Sequence, residues 1–371
     1  MLTTVKIVVC ADPHIGSHNA CAVPTERPGI NSRSAAALAT LNRAVQFMER
    51  HADALVVAGD IMDVSAPSPQ LLTATRNALR ESCSLPTYLL VGNHDQESSR
   101  PGDHALGPLD GIEAHVVDTP RTVRVGPISL RFAPFRRMAA KDYLPESLRG
   151  DDSDPCPTVG VIHAGIEDED TAPQMRGHHD SIPLGRLLRI AQECGLAAIV
   201  AGNWHNHRIW QTPDCAVVQC GALCPTGWDN PGTTDYGKVT LLTFKVGTGG
   251  YFLGPEIEVH EIPGPRFVSF PYANMADAIA APPEHYVAIT GVPKDVRAAT
   301  QTAMETSRPG KWKIALEVVD TPQAAQHAAM VVRAEASREG AVRAFVGAMP
   351  LTDGVDRSRV EVLSLGYLSR S

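Results

Sequence analysis

Through the first two hundred residues, short apolar runs alternate with segments of helical period, and this alternation limits the fold more than any other feature of the chain. Val5, Ile7, Val8 and Val9 form one such run, and 54–58, 87–91, 158–162 and 197–201 form others. Between the first two lies a segment, 34–50, with Leu38, Leu41, Val45 and Met48 spaced three and four apart, which predicts a helix with one apolar face. A second helix is expected over 69–81, with Ser68 as its cap and Pro69 at its first position. Strands alternating with helices predict βαβ units and a buried, mostly parallel or mixed sheet. Each loop that follows a strand then falls at the carboxyl edge of the sheet.

The alternation of apolar and polar residues over 122–134 and 217–244 predicts antiparallel strands that close a sandwich. Pro263, Gly264 and Pro265 interrupt the pattern. After them, strands at 286–290, 313–319 and 342–346 and helices at 294–306 and 322–338 predict a smaller α+β domain.

The net charge of −8 argues against a broadly basic nucleic-acid surface, because phosphate is neutralised mainly by Lys and Arg, although one local basic groove is still compatible with it. Such residues gather at Arg121, Arg124, Arg131, Arg136, Arg137 and Lys141, either as a solvated face or as contacts to a DNA backbone. Eight cysteines are scattered without a Cys-x-x-Cys pair, which suits free thiols in a reducing compartment. Cys215, Cys220 and Cys224 have no fourth ligand at a matching spacing for zinc. No apolar run reaches the roughly 18 to 20 residues of a membrane span, and the first ten residues are strand-like rather than leader-like. A soluble, cytoplasmic protein is therefore expected.

Five polar clusters sit at the ends of predicted strands: Asp12-Pro13-His14, Gly59-Asp60-Ile61-Met62-Asp63, Gly92-Asn93-His94-Asp95, His163, and His205-Asn206-His207. Each has a plain structural alternative, since Gly, Asp and Asn are ordinary turn formers and a lone His is more often a satisfied core residue than a ligand. Together, and in this strand context, they supply the carboxylate, amide and imidazole donors that a pair of divalent ions needs, including a carboxylate able to bridge.

The series resembles the calcineurin-like metallophosphoesterase superfamily, whose motifs run Asp-x-His, Gly-Asp-x-x-Asp, Gly-Asn-His-Asp or Glu, a His, then Gly-His-x-His. The resemblance spans about residues 5–245 and implies an α/β fold, a four-layer sandwich of two mixed β-sheets flanked by helices. The metallophosphoesterase domain would occupy 1–262 and a smaller C-terminal α+β capping domain 266–371. It further implies a dinuclear-metal hydrolase of phosphoesters. Asp12, His14 and His207 would hold one ion, Asn93, His163 and His205 the other, and Asp60 would bridge them. His94 would stabilise the transition state and protonate the leaving group, with Asp95 as its orienting partner, and Asp63 would steady a ligand. The last motif departs from the pattern, because Trp204 precedes His205 and the glycine, Gly202, lies further back. Aligned on Gly202, the ligand pair becomes Asn203 and His205 and leaves His207 spare. Period-two geometry in an extended segment favours His205 with His207.

Residues 217–226 and the added α+β domain are similar to those of SbcD-type DNA repair nucleases. That likeness implies a phosphodiesterase acting on DNA, two divalent ions with manganese foremost (zinc and iron being alternatives), and an SMC-like ATPase subunit or a second copy of the chain as partner. The competing expectations are a phosphomonoesterase or small-nucleotide phosphodiesterase, and a non-catalytic scaffold of the same fold. Against the scaffold stands the intact set of like-charged donors, which is costly to keep buried without a use.

Overall fold

A computed structural model describes residues 2–18, 20–80, 85–111, 114–150, 156–228, 236–247, 251–316 and 358. The expected helix at 322–338, the strand at 342–346 and the far part of the expected C-terminal domain lie outside the described residues. Met1–Ala315 form one compact unit, and the second, Leu316–Ser371, falls almost wholly outside the described residues.

The apolar runs become the central strands. β1 (Thr3–Cys10), β2 (Ala54–Val57), β3 (Thr87–Leu90) and β4 (Ala114–Val117) pair in parallel, while β13 (Lys238–Val246) and β14 (Phe252–Glu261) add antiparallel strands beyond β1. The second sheet has a parallel centre of β6 (Ile128–Ala133), β7 (Thr158–His163), β10 (Ala198–Gly202) and β12 (Ala216–Gln219). Antiparallel edge strands close it, β5 (Arg121–Val125) beside β6 and β11 (Arg208–Gln211) beside β12. A third, three-stranded sheet follows: β15 (Phe267–Pro271), β16 (Tyr286–Val292) and β17 (Trp312–Leu316), in that order. β8 (Gly165–Glu167) and β9 (Ser181–Pro183) form a short parallel pair.

Alternate residues of the two large sheets build the layers. Val5, Ile7, Val9, Val56 and Leu90 of the first sheet meet Leu130, Phe132, Val161 and Val200 of the second in one core. On its other face the first sheet sends Val8, Leu55, Val57 and Leu89 against α1 (Ser32–His51) and α2 (Pro69–Arg80), whose Leu38, Leu41, Val45, Met48 and Leu71 return the contact. The second sheet packs Ile162, Ile199 and Val217 against α3 (Ala140–Ser147) and α4 (Leu184–Glu193). The result is the four-layer mixed α/β sandwich that the family resemblance implied. Asn31 caps α1 by accepting a bond from the Ser34 amide at 2.9 Å, and the Ser68 hydroxyl accepts one from the Leu71 amide at 3.2 Å.

The expectation of antiparallel strands over 217–244 holds for β13 and, for β12, only on the edge it shares with β11. β12 is buried along its whole length and lies parallel to β10, as a strand covered on both faces does, so alternation was the wrong signal there.

Arg33 of α1 is nearly buried and joins the third sheet to the sandwich. Its guanidinium lies 4.7 Å from the ring centre of Phe267 and 5.3 Å from that of Tyr286, and donates to the carbonyls of Ala20 at 2.9 Å and Thr226 at 2.8 Å. Hydrogen bonds from a charged donor and a desolvated cation–π contact are each worth about 1–3 kcal/mol. Arg33→Met should therefore lower unfolding stability by roughly 2–3 kcal/mol and speed hydrogen exchange in β15 and β16 while β1–β3 stay protected. Uniform loss of protection, or none, would contradict this role.

Candidate metal centre

The carboxyl ends of both sheets converge on one place, where most of the residues singled out in the sequence lie. The loop after β1 carries Asp12 and His14, that after β2 carries Asp60 and Asp63, and that after β3 carries Asn93 to Asp95. From the second sheet come His163 at the end of β7 and Asn203 to His205 just after β10. Asp12, His14, Asp60 and Asn203 all have φ between 43° and 88°, a left-handed conformation uncommon away from glycine. Such strain persists only where the surroundings over-determine it, and here four strained residues share one spot.

The two sheets are tied across this site. The His163 Nδ1 lies 2.8 Å from the Ala58 carbonyl, and the Asn203 amide donates to both Asp12 carboxylate oxygens at 3.1 Å. A carbonyl only accepts, so His163 carries a hydrogen on Nδ1 and turns Nε2 towards Asn93 Oδ1 at 2.8 Å and Asp60 Oδ2 at 3.3 Å, a donor while protonated and a ligand once a cation replaces the proton. Gly202 is required by the close approach of the sheets, because a Cβ there would strike the Ala58 carbonyl oxygen.

Asp60 is the hub. Its Oδ2 faces His163 on one side and the His14 Nε2, 3.7 Å away, on the other, while its Oδ1 accepts from the His94 amide at 2.8 Å. His14 Nε2 also lies 3.0 Å from His205 Nε2, and its Nδ1 is 3.2 Å from Asp63 Oδ1. Among the described residues, three groups have donor atoms close enough to share an ion: Asp12 with His14 and His205, His14 with Asp60 and His94, and Asp12 with Asp60 and His163. Cys215, Cys220 and Cys224 belong to none of them.

Three expectations change. The structure brings His205, not His207, to Asp12 and His14; the His207 Nε2 instead lies 3.1 Å from the Thr240 hydroxyl. Among the described residues His205 is grouped with Asp12 and His14 and not with His163, whose Nε2 meets Asn93 Oδ1 and Asp60 Oδ2. The spacing of His205 and His207 puts them on one side only if the segment is extended, and residues 203–206 form bends instead. Nor does Asp95 orient His94. Asp95 is fully buried and accepts from the amides of Met62 at 2.8 Å, Gly92 at 2.9 Å and Ile61 at 3.3 Å, so it pins the β2 and β3 loops together. The partner of His94 is the Asp63 carbonyl, 3.0 Å from its Nδ1. His18, which the motifs did not single out, joins the network: its Nε2 lies 2.8 Å from the His14 carbonyl and its Nδ1 3.6 Å from Asp63 Oδ2. Its one sequence signal is its place four residues after His14.

The donor set fits divalent cations. Asp12 and Asp60 are almost wholly buried, and among the described residues the ion pairs of Asp60 are with imidazoles. A buried carboxylate paired in this way, rather than with Lys or Arg, and with a second buried carboxylate grouped beside it, calls for a cation of another kind. Without one, the site holds protons. Burial, with the charge of Asp60, pushes Asp12 up to about 7. Burial alone would lower His163, but Asp60 and Asp12 outweigh it and raise it to about 10. Burial would also raise Asp60, yet His163, His14 and His94 hold it well below the usual carboxylate range.

A scan against family models matches residues 5–207, more than half of the chain, to the calcineurin-like phosphoesterase model. The chain belongs to the calcineurin-like phosphoesterase family. Membership makes it a phosphoesterase-type hydrolase of a family that depends on two metal ions, and the structure brings candidate metal-binding residues together. No curated protein matches the chain. Among solved structures, a protein of Thermus thermophilus is 14% identical, covers 70% of this chain and 100% of its own, and has a TM-score of 0.40. A purple acid phosphatase of yellow lupin (Lupinus luteus) seeds is 13% identical over 70% of this chain and 52% of its own, with a TM-score of 0.42. An archaeal phosphodiesterase is 13% identical over 69% and 98%, with a TM-score of 0.34. No helix among the described residues is long and apolar enough to cross a membrane.

Two outcomes follow from this geometry. Metal ligands must be unprotonated, so loading the site at pH 7 should expel protons from Asp12 and His163, and affinity should rise with pH. Calorimetry of manganese binding in buffers of different ionisation enthalpy reads the proton count; a count of zero would contradict the buried, proton-holding site. Asp95→Ala should orphan three buried amides and cost at least about 3 kcal/mol of stability in metal-free protein, read from the denaturation midpoint. A purely catalytic Asp95 would leave that midpoint in place.

Proposed function

We propose that the chain hydrolyses phosphodiesters at a dinuclear metal centre, and the observation that carries this reading is the single Asp60 oxygen that faces both imidazole groups. Asp12, His14 and His205 would hold one ion, Asn93 and His163 the other, and Asp60 both; for His205 and the spare His207 this is the register set by Gly202, in which Asn203 would join the second ion. Bound divalent ions of this kind neutralise phosphate oxygens and lower the pKa of an attacking water. Manganese suits the mixed oxygen and nitrogen donors, as would zinc or iron.

The remaining roles belong to the side chains. His14 has the Asp63 carboxylate 3.2 Å from its Nδ1, an ion-pair contact on the side of the ring away from Nε2. His94 is exposed, packs edge-on to His14 with ring centres 4.8 Å apart, and carries its Nδ1 hydrogen to the Asp63 carbonyl. Its Nε2 is then the atom that holds the proton for the departing alkoxide.

DNA as substrate, and with it an ATPase partner, is the second reading, and its basic patch is thinner than the sequence suggested. Arg131 is buried and donates to the carbonyls of Leu148 and Cys194, and Arg136 donates to those of Phe135 and Asp118. A compact phosphodiester therefore has the better claim.

The test is turnover with manganese of bis-p-nitrophenyl phosphate, cyclic nucleotides, monoesters, and end-labelled single- and double-stranded DNA. Diester hydrolysis should fall by about 10²- to 10⁴-fold in His94→Ala, with bound metal unchanged. Absence of turnover in metal-loaded protein, or metal lost along with His94, would sink the assignment. DNA degradation well above that of small diesters would move the substrate to the second reading.

A further inference from the structure

Beside the metal centre lies a pocket of about 560 Å³, walled on one side by the loop after β8 and on the other by Asn203 to Arg208. Its volume is in the range of small-molecule sites. His205 faces both this pocket and the metal group, so a phosphoester seated at the ions would extend its organic part into the pocket.

The pocket is held open by buried polar bonds. Gln219 of β12 is fully buried; its Oε1 accepts from the Ile166 amide at 3.1 Å and its Nε2 donates to the Asn206 carbonyl at 2.8 Å, fixing the two walls at a set spacing. Asp168 does the same further along the loop, accepting from Arg208 at 2.5 Å, Trp210 Nε1 at 3.2 Å and the Thr171 hydroxyl at 3.0 Å. Asn203 Nδ2 adds a bond to the Asp180 carbonyl at 3.1 Å. A pocket whose walls are fastened in advance loses little entropy when filled.

Its chemistry is that of a neutral flat group. Trp204, half-buried and seated over Gly165, contributes an indole, and Met175, Ile166 and Ala172 contribute apolar surface. A side chain at position 165 would collide with the indole, so Gly165 is what lets Trp204 lie there. Arg208, the one Arg or Lys of the lining among the described residues, is already paired with Asp168, and Asp170 brings a negative charge, so a further phosphate is disfavoured.

We infer that this pocket binds the planar, uncharged ring of a phosphoester's organic group, a nucleobase or a simple aryl ring, with Trp204 as the stacking wall that sets substrate preference. The inference rests on the phosphoesterase reading for the position of the phosphate, and deepens it by naming the substrate class. Nothing in it requires a long polymer.

Calorimetric titration of the manganese-loaded protein with methylphosphonate, phenylphosphonate, thymidine 5′-monophosphate and thymidine tests it without depending on turnover. The ring-bearing phosphates should bind about tenfold or more tighter than methylphosphonate, as one stacked ring allows. Trp204→Ala should shrink that ratio by about tenfold, and Trp204→Phe should keep most of it. Thymidine monophosphate exceeding phenylphosphonate identifies a nucleobase; the reverse identifies an aryl ring. Equal affinities in the native protein, or a ratio indifferent to Trp204→Ala, would overturn the proposal. Thymidine binding that depends on Trp204, alongside no binding of methylphosphonate, would keep the pocket and remove the phosphoesterase reading instead.

Discussion

The structure depends on a buried carboxylate whose counter-charges, among the described residues, are titratable imidazoles. Asp60 is 1% exposed, Asp12 is completely buried, and the groups paired with Asp60 are imidazoles rather than Lys or Arg. Burying a carboxylate costs several kcal/mol unless it is compensated, so this cluster is tolerable only with protons or metal ions held in it. That requirement accounts for the arrangement of its surroundings: His163 is fastened through Nδ1 to Ala58, His14 stands beside Asp63, and each leaves Nε2 facing Asp60.

Holding such a cluster open takes backbone strain, and four of the strained residues sit within it. Asp12, His14, Asp60 and Asn203 adopt left-handed conformations at the carboxyl ends of β1, β2 and β10. What keeps them there is packing and hydrogen bonding elsewhere. The sandwich interior sets the sheets face to face, Asp95 bolts two of the loops together through three amides, and Gly202 lets the second sheet approach Ala58 without a clash. The rigidity of the core is thereby converted into the placement of a few donor atoms.

The neighbouring pocket is built on the same lines. Gln219 and Asp168 are polar residues used to fix spacing between segments distant in sequence, and both sit where a strand reading assigns no chemistry. Arg131 and Arg136 are the mirror case, cations whose clustering in the sequence suggested a surface for phosphate but whose guanidinium groups serve carbonyls. Burial decides between these uses, and burial of a polar residue depends on partners that a linear pattern does not contain.

The sequence by itself determined the layered α/β fold, the parallel centre of the first sheet, and the loops that carry Asp12, Asp60, Asn93 and His163. Periodicity reports burial locally, and a loop after a parallel strand can fall only at one edge. Only the tertiary structure decided that His205 and not His207 meets Asp12 and His14, that Asp95 ties loops instead of orienting His94, and that β12 lies parallel inside the second sheet. Each of these turns on a bend, a shared hydrogen bond or a neighbour across two sheets. The contacts of His94 with Asp63 and of His14 with His205 join residues 31 and 191 positions apart, where no local spacing rule reaches.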